Sequence, residues 1–205
     1  MQSMKKIEKE QISNFWNWFV KNEKLLAPKI ITDNLIDVLD KKILSLGDFS
    51  WEIRRGEEKE NMLIISPGGN LALLAVTKNI IELAPDMTFW EFQYFKPAKD
   101  WKFRFSIDNG DVKRMLDASD WEYVLLKFPD GTYDIILKAE SLNSLPKGYQ
   151  EDAVEIVLES SIGEKLRLEL IKDIEIANEI PNEYRGKQTS IKFLKDQIYE
   201  LEGIN

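Results

Sequence analysis

The chain has 205 residues, 28 Lys and Arg against 36 Asp and Glu for a net charge of −8, and neither His nor Cys. Without imidazole or thiol there is no Ser-His-Asp or Cys-His nucleophile, no disulfide, and no zinc or iron site built on those ligands. The acidic balance disfavours duplex nucleic acid, whose phosphates need clustered Lys and Arg, while an ordinary apolar fraction of 43% predicts a real core.

Residues 1–10 carry Lys5, Lys6 and Lys9 with no apolar run behind them, and nowhere do about 18 apolar residues follow one another. The expectation is a soluble, cytoplasmic protein without a secretory signal or membrane helix. Ile12, Phe15, Trp16, Phe19 and Val20 recur at helical spacing over about 8–26, and Ala27-Pro28 closes that segment. Trp16 and Trp18 lie about 200° apart on such a helix, so one of them must meet a second helix or a subunit interface. A second helix is predicted over about 33–45, with Gly47 as a left-handed stop.

From Phe49 the apolar period changes to two. Phe49, Trp51 and Ile53 alternate with polar residues, the tip Gly56-Glu57-Glu58-Lys59-Glu60 turns the chain, and Met62-Leu63-Ile64-Ile65 reads as a strand apolar on both faces, hence central in its sheet. Ser66-Pro67-Gly68-Gly69-Asn70 breaks that strand, and Leu71 to Ala84 forms a helix ending at Pro85. Aromatic strands follow around Trp90-Phe92-Tyr94 and Trp101-Phe103-Phe105-Ile107. Asn109-Gly110 and Pro129-Asp130-Gly131 are hairpin turns, the second joining Trp121–Phe128 to Thr132–Ala139. A short helix is predicted over 151–161, a strand over 166–171, and a closing amphipathic helix from Ile191, Leu194, Ile198 and Leu201.

The pattern predicts an α+β fold: an N-terminal helical pair, then mainly antiparallel sheet with crossing helices. Hairpin, helix and strand follow Trp51-Glu52 and again Trp121-Glu122, which points to two related ββαβ lobes. The division falls at 1–116 and 117–205, with a single compact domain as the alternative.

Few residues carry chemistry. At the corner Ser66-Pro67-Gly68-Gly69-Asn70, unpaired N–H groups of a helix start and two glycines could admit an anion. The stretch lacks the GxxxxGK[ST] and GxGxxG patterns, and Asn70 has ordinary work as a helix cap. Alternating aromatics, Trp90 and Trp101 among them, could wall a ligand site but more commonly form core. Asp108, Asp111, Asp117 and Asp120 do not match a calcium loop. Carboxylate pairs such as Glu52 with Glu122 are permitted for glycoside chemistry without being selected. No catalytic residue, metal or cofactor is predicted.

Residues 62–97 carry Ile64-Ile65-Ser66-Pro67-Gly68-Gly69-Asn70, then Leu83-Ala84-Pro85, then Trp90-Glu91-Phe92 with Phe95-Lys96-Pro97. This resembles a motif of uncharacterised bacterial proteins with IS-x-G-G, AP and W-x-F at that spacing. The resemblance implies a bacterial cytosolic protein and brings no catalytic residue. The functional expectation is a non-enzymatic interaction protein, immunity-type or regulatory, that binds a partner with a basic surface; neither nucleic acid nor membrane is expected as partner, and oligomeric state stays open. The alternative is a small-ligand or anion-binding protein, or a His-free enzyme, with its site formed by Ser66, Gly68, Gly69 and Asn70 and walled by Trp90 and Trp101.

Overall fold

A computed structural model describes residues 7–108 and 113–204, which group into two compact units, one running to Lys96 and the other starting at Pro97. The fold is mixed α+β, and it begins with the expected pair of helices. In α1 (Lys9–Asn22), Ile12, Phe15, Trp16 and Phe19 fall on one face at i, i+3, i+4 and i+7, and all four are buried. A reciprocal Glu8–Gln11 capping box starts the helix. Helix α2 (Asp33–Leu46) buries Leu39, Ile43 and Leu46. Of the two opposed indoles, Trp16 is the core residue, donating its Nε1–H to the Ile80 carbonyl at 3.0 Å, while Trp18 lies under the Lys42 ammonium of α2 at 5.0 Å.

Gly47, at the end of α2, has φ 167°, which is extended backbone and not the left-handed stop expected. Glycine is needed there for another reason: a Cβ would lie 2.6 Å from the Phe49 ring. Strands β1 (Ser50–Arg55) and β2 (Asn61–Ser66) pair antiparallel, and β3 (Trp90–Gln93) adds parallel to β2 after a crossover through a 3-10 turn, Leu71–Leu73, and α3 (Leu74–Glu82). Strand β2 is therefore central, and all six of its residues are buried. Phe19 meets Trp90 edge-on with centroids 4.9 Å apart, and Trp16 meets Phe92 in the same way at 4.7 Å, so the first helix is fastened to β3 by aromatic contacts.

The second unit opens with the antiparallel pair β4 (Arg104–Asp108) and β5 (Lys113–Asp117) in a sheet of their own. The expected Asn109-Gly110-Asp111 turn lies outside the described residues. The two aromatic strands of the sequence thus join different sheets. The second begins only at Arg104 because Phe103 has φ 58°, a left-handed conformation that a β ladder does not use; its carbonyl accepts the Ala118 N–H at 2.8 Å. This pair packs on the second unit's core through Phe105, Ile107 and Leu116.

Strands β6 (Glu122–Lys127) and β7 (Tyr133–Lys138) form the next hairpin. Helices α4 (Lys147–Ile162) and α5 (Glu164–Leu170) lead to β8 (Ile171–Ala177), parallel to β7. The two-residue β9 (Thr189–Ser190) borders the start of β6, and α6 (Leu194–Glu202) closes the chain. The expected strand over 166–171 is a helix instead. Residues 164–170 are Glu, Lys, Leu, Arg, Leu, Glu and Leu, all good helix formers, whereas the strand takes the β-branched Ile171, Ile174 and Ile176. Arg167 fixes the choice by reaching back from α5 to both oxygens of Glu155 on α4, at 2.8 and 2.5 Å. Both units therefore follow one path, a hairpin, a helical crossover and a third strand parallel to the hairpin's second. Among the described residues no helix is long and apolar enough to cross a membrane.

Candidate functional site

Ser66, Gly68, Gly69 and Asn70 do come together at the strand-to-helix corner, and most have structural work there. Ser66 is fully buried, and its Oγ accepts the Gly68 N–H at 3.4 Å. Gly68 and Gly69 take φ 59° and 82°, consecutive left-handed residues that turn the chain. At Gly68 a Cβ would also stand 3.0 Å from the Ser50 hydroxyl. Asn70 accepts the Ala72 N–H through Oδ1 at 3.1 Å, which is the helix cap its sequence position predicts.

The aromatic walls do not assemble there. Trp90 pairs with Asn61, at the opposite end of β2 from Ser66, about 17 Å away at the strand rise. It is 2% exposed and belongs to the core under α1. Trp101 belongs to the second unit. The carboxylates are likewise dispersed into local pairs: Asp117 accepts from Arg104 at 2.8 Å and from the Ser119 N–H at 2.9 Å, Asp108 faces Lys113 at 3.8 Å, and Glu122 faces Lys138 at 3.4 Å. The Ser119 and Arg104 contacts hold the Asp117 carboxyl at about 2. Glu52 lies on β1 of the first unit and Glu122 on β6 of the second. Among the described residues no three acidic side chains are grouped to hold a metal ion, and Asp111 lies outside that set.

The structure builds a different concave feature, which sequence reasoning missed. In the second unit the sheet order is β8-β7-β6-β9, so β8 is an edge strand, and α4 runs beside it. Between them lies a groove of about 620 Å³. One wall is a single face of α4, since Lys147, Gln150, Glu151, Val154 and Glu155 recur at i, i+3, i+4, i+7 and i+8. The other wall is β8 itself, through Lys172, Ile174, Glu175 and Ile176. Arg167 closes one end, its Nη1–H donated to the Ile171 carbonyl at 3.0 Å while its other nitrogens hold Glu155.

The groove's cations are already engaged. Lys147 lies 3.6 Å from Glu151, Arg167 is held by Glu155, and Lys172 donates to the Glu169 carbonyl at 3.5 Å. Around it the stretch from Lys147 to Ala177 carries eight acidic residues against four basic. The signal that could have marked this groove is the Ile-x-x-Ile-x-Ile pattern of β8, and the misplaced strand at 166–171 obscured it.

No protein-family model, curated protein or solved structure matches the chain. Residue roles therefore rest on the geometry alone.

Proposed function

We propose that the chain is a protein-interaction module whose second unit captures a basic, extended polypeptide segment along the free edge of β8. The observation that carries this reading is the groove between α4 and β8, with an edge strand as one wall and a single helix face as the other. An edge strand offers unpaired main-chain donors and acceptors, and a peptide added in register satisfies them. A strand of seven residues spans about 23 Å, enough to align a segment of similar length. Alternate side chains of the incoming strand would rest on Val154, Ile174 and Ile176. Its basic side chains would meet the surplus of carboxylates on α4 and β8, whose field also accelerates encounter.

The test is a titration of isotope-labelled protein with an eight-residue peptide of alternating lysine and valine. Amide shifts should concentrate on β8 and the facing side of α4. The double substitution Glu151→Lys and Glu175→Lys should weaken binding tenfold or more, and added salt should weaken it further. Shifts elsewhere in the molecule, or equal binding of an alternating glutamate–valine peptide, would overturn the reading.

A further inference from the structure

The sheet of the second unit has another open edge. Its order is β8-β7-β6-β9, but β9 pairs with β6 only at Glu122 and Tyr123, so that ladder stops before Val124. In the same register, Gln188 back to Arg185 would lie opposite Val124 to Lys127. The chain has turned away instead. Asn182–Tyr184 is a 3-10 turn, the Lys187 N–H donates to the Tyr184 carbonyl at 3.0 Å, and Gly186 takes φ 82°. The space left beside β6 is a slot of about 280 Å³, lined by residues 123–127, by Tyr184, Lys187 and Thr189, and by Gln197 of α6.

Main-chain direction along β6 is fixed at both ends. At its start the Trp121 carbonyl accepts the Ile191 N–H at 2.9 Å, which points Trp121 toward the β9 side. At its end the Phe128 N–H donates to the Thr132 carbonyl at 2.9 Å, which points Phe128 across the hairpin toward β7. Successive residues of a strand face opposite neighbours, so both contacts give one answer. Glu122, Val124 and Leu126 bond to β7, while Tyr123, Leu125 and Lys127 face outward. Tyr123 meets Thr189 of β9. The N–H and C=O groups of Leu125 and Lys127 have no main-chain partner on that side among the described residues. Four groups in strand geometry therefore border the slot, and an added strand is what satisfies such groups.

The slot is walled on both faces of the sheet. Tyr123 and Leu125 belong to the core that α4 and α6 cover, and the Tyr123 hydroxyl donates to Gln197. Val124 and Leu126 point to the other face, where Tyr184 packs.

Charge selects the occupant. Lys127 and Lys187 line the slot, and no carboxylate is among its lining residues. Lys127 lies 3.5 Å from Glu202, whereas the Lys187 ammonium stands 5.6 Å from the Tyr184 ring centroid and holds no ion pair among the described residues. The stretch from Tyr184 to Lys195 carries Arg185, Lys187, Lys192 and Lys195 and no acidic residue, in a unit with 15 basic side chains against 22 acidic. This edge is the basic side of an acidic unit.

We propose that the free length of β6 takes an acidic, extended polypeptide segment as an added strand in line with β9. The segment bonds to the outward N–H and C=O groups of Leu125 and Lys127, and its carboxylates face Lys127 and Lys187. The open positions Val124 to Lys127 span about 14 Å at the strand rise, so the segment is short. The site is separate from the β8 edge and prefers the opposite charge.

The test uses a six-residue peptide of alternating glutamate and threonine, acetylated and amidated so that its ends carry no charge. Threonine suits both a strand and the polar walls made by Tyr184, Thr189 and Gln197. Titrated into isotope-labelled protein, the peptide should move the amide signals of Leu125, Lys127 and Thr189 saturably while those of β8 stay in place. At saturation, hydrogen exchange at the Leu125 and Lys127 amides should slow by about tenfold or more, because both gain partners. An alternating lysine–threonine peptide should bind at β6 about tenfold more weakly, and so should the glutamate peptide when Lys187, an exposed residue, is changed by Lys187→Glu. Unslowed exchange at Leu125 and Lys127 under saturation would mean that the peptide rests on the lysines alone, and would overturn the proposal. Equal binding of the two peptides at β6, shifts confined to other parts of the molecule, or no saturable shift would overturn it too. The two edges report through different amides, so this proposal and the β8 reading can fail separately.

Discussion

In the first unit the hairpin is closed from a distance. Glu91 of β3 accepts the N–H groups of Glu57, Glu58 and Lys59 at 2.5, 3.1 and 3.2 Å, wrapping the tip of β1–β2 around a carboxylate more than thirty residues away. Lys59 then reaches Asp86 and the Met87 carbonyl, both at 2.8 Å. In the second unit the β6–β7 tip is closed from within, because Asp130 accepts the N–H and hydroxyl of Thr132 two residues on. The same hairpin–helix–strand path is therefore assembled with opposite dependence on the third strand. In the first unit the tip is bonded to the parallel strand; in the second the turn's hydrogen bonds come from within it. Strand β8 is held by its β7 ladder, by the Asp173 N–H donated to Asp134 at 3.1 Å and by the Arg167 bond to the Ile171 carbonyl, with its outer edge open, which is the condition the proposed peptide site requires. The charge is divided in the same sense: residues 1–96 carry 13 basic and 14 acidic side chains, residues 97–205 carry 15 and 22.

The severest way to probe the contrast is to hollow the central strand of each unit. Leu63 of β2 and Leu137 of β7 are both fully buried. Leu63→Ala and Leu137→Ala should each lower stability by about 2–5 kcal/mol, the range for deleting a buried leucine side chain into a cavity. Hydrogen exchange should place the lost protection in the first unit for Leu63→Ala and in the second for Leu137→Ala. Protection lost equally in both units by either change would break the comparison, since it would mean that a single cooperative structure unfolds.

Glu91→Gln comes next. Burial pushes the Glu91 carboxyl upward, but the three backbone N–H groups and the Lys59 charge outweigh it and hold it below its ordinary value. A charge-assisted network at a half-buried site is worth about 1 kcal/mol net, and the amide keeps only part of it. A carboxyl lowered in the folded state contributes stability that is complete above its unfolded value, near 4.5, and is lost as pH falls through the lower folded value. Wild-type protein should therefore lose amide protection at residues 57–59 on acidification, while Glu91→Gln should have lost part of it already at neutral pH. Equal protection in both proteins at pH 7 would remove Glu91 from the closure.

How much of this could be read in the sequence depends on distance along the chain. The β1, β2, β6 and β7 segments and the central place of β2 follow from period-two alternation and from a strand apolar on both faces, which are local patterns. Asn70 as a cap and Gly131 as a turn residue, with φ 84°, are local too. What failed was non-local or ambiguous. Leu166, Leu168 and Leu170 alternate like a strand, but their helix propensity and the Arg167–Glu155 contact decide for α5. The glycine at 47 answers to the Phe49 ring and not to a left-handed turn. Trp90 and the Ser66 corner look like neighbours in sequence space, yet the parallel register of β3 sets them at opposite ends of β2. The open edge of β6 is not visible in the sequence, because it exists only where the chain after Tyr184 turns away from that strand.

The smallest expected effect sharpens the contrast most directly. Asp130 is fully exposed, with its carboxyl held below the ordinary value by the Thr132 hydroxyl and N–H. Its sign with pH is the same as that of Glu91: stability is present above the unfolded carboxyl value and declines as pH falls through the folded one. The reach is different. Asp130→Asn retains an acceptor for the Thr132 N–H and leaves the turn to Gly131, so its melting temperature should fall less than that of Glu91→Gln. Because Asp130 makes no hydrogen bond to β8 among the described residues and meets that strand only through the charge of Lys172, the amide signals of β8 beyond Lys172 should remain unperturbed, whereas Glu91→Gln should perturb β3 as well as the tip. If Asp130→Asn perturbed β8 as strongly as Glu91→Gln perturbs β3, the second hairpin would depend on its third strand after all, and the open edge of β8 would lose its structural basis.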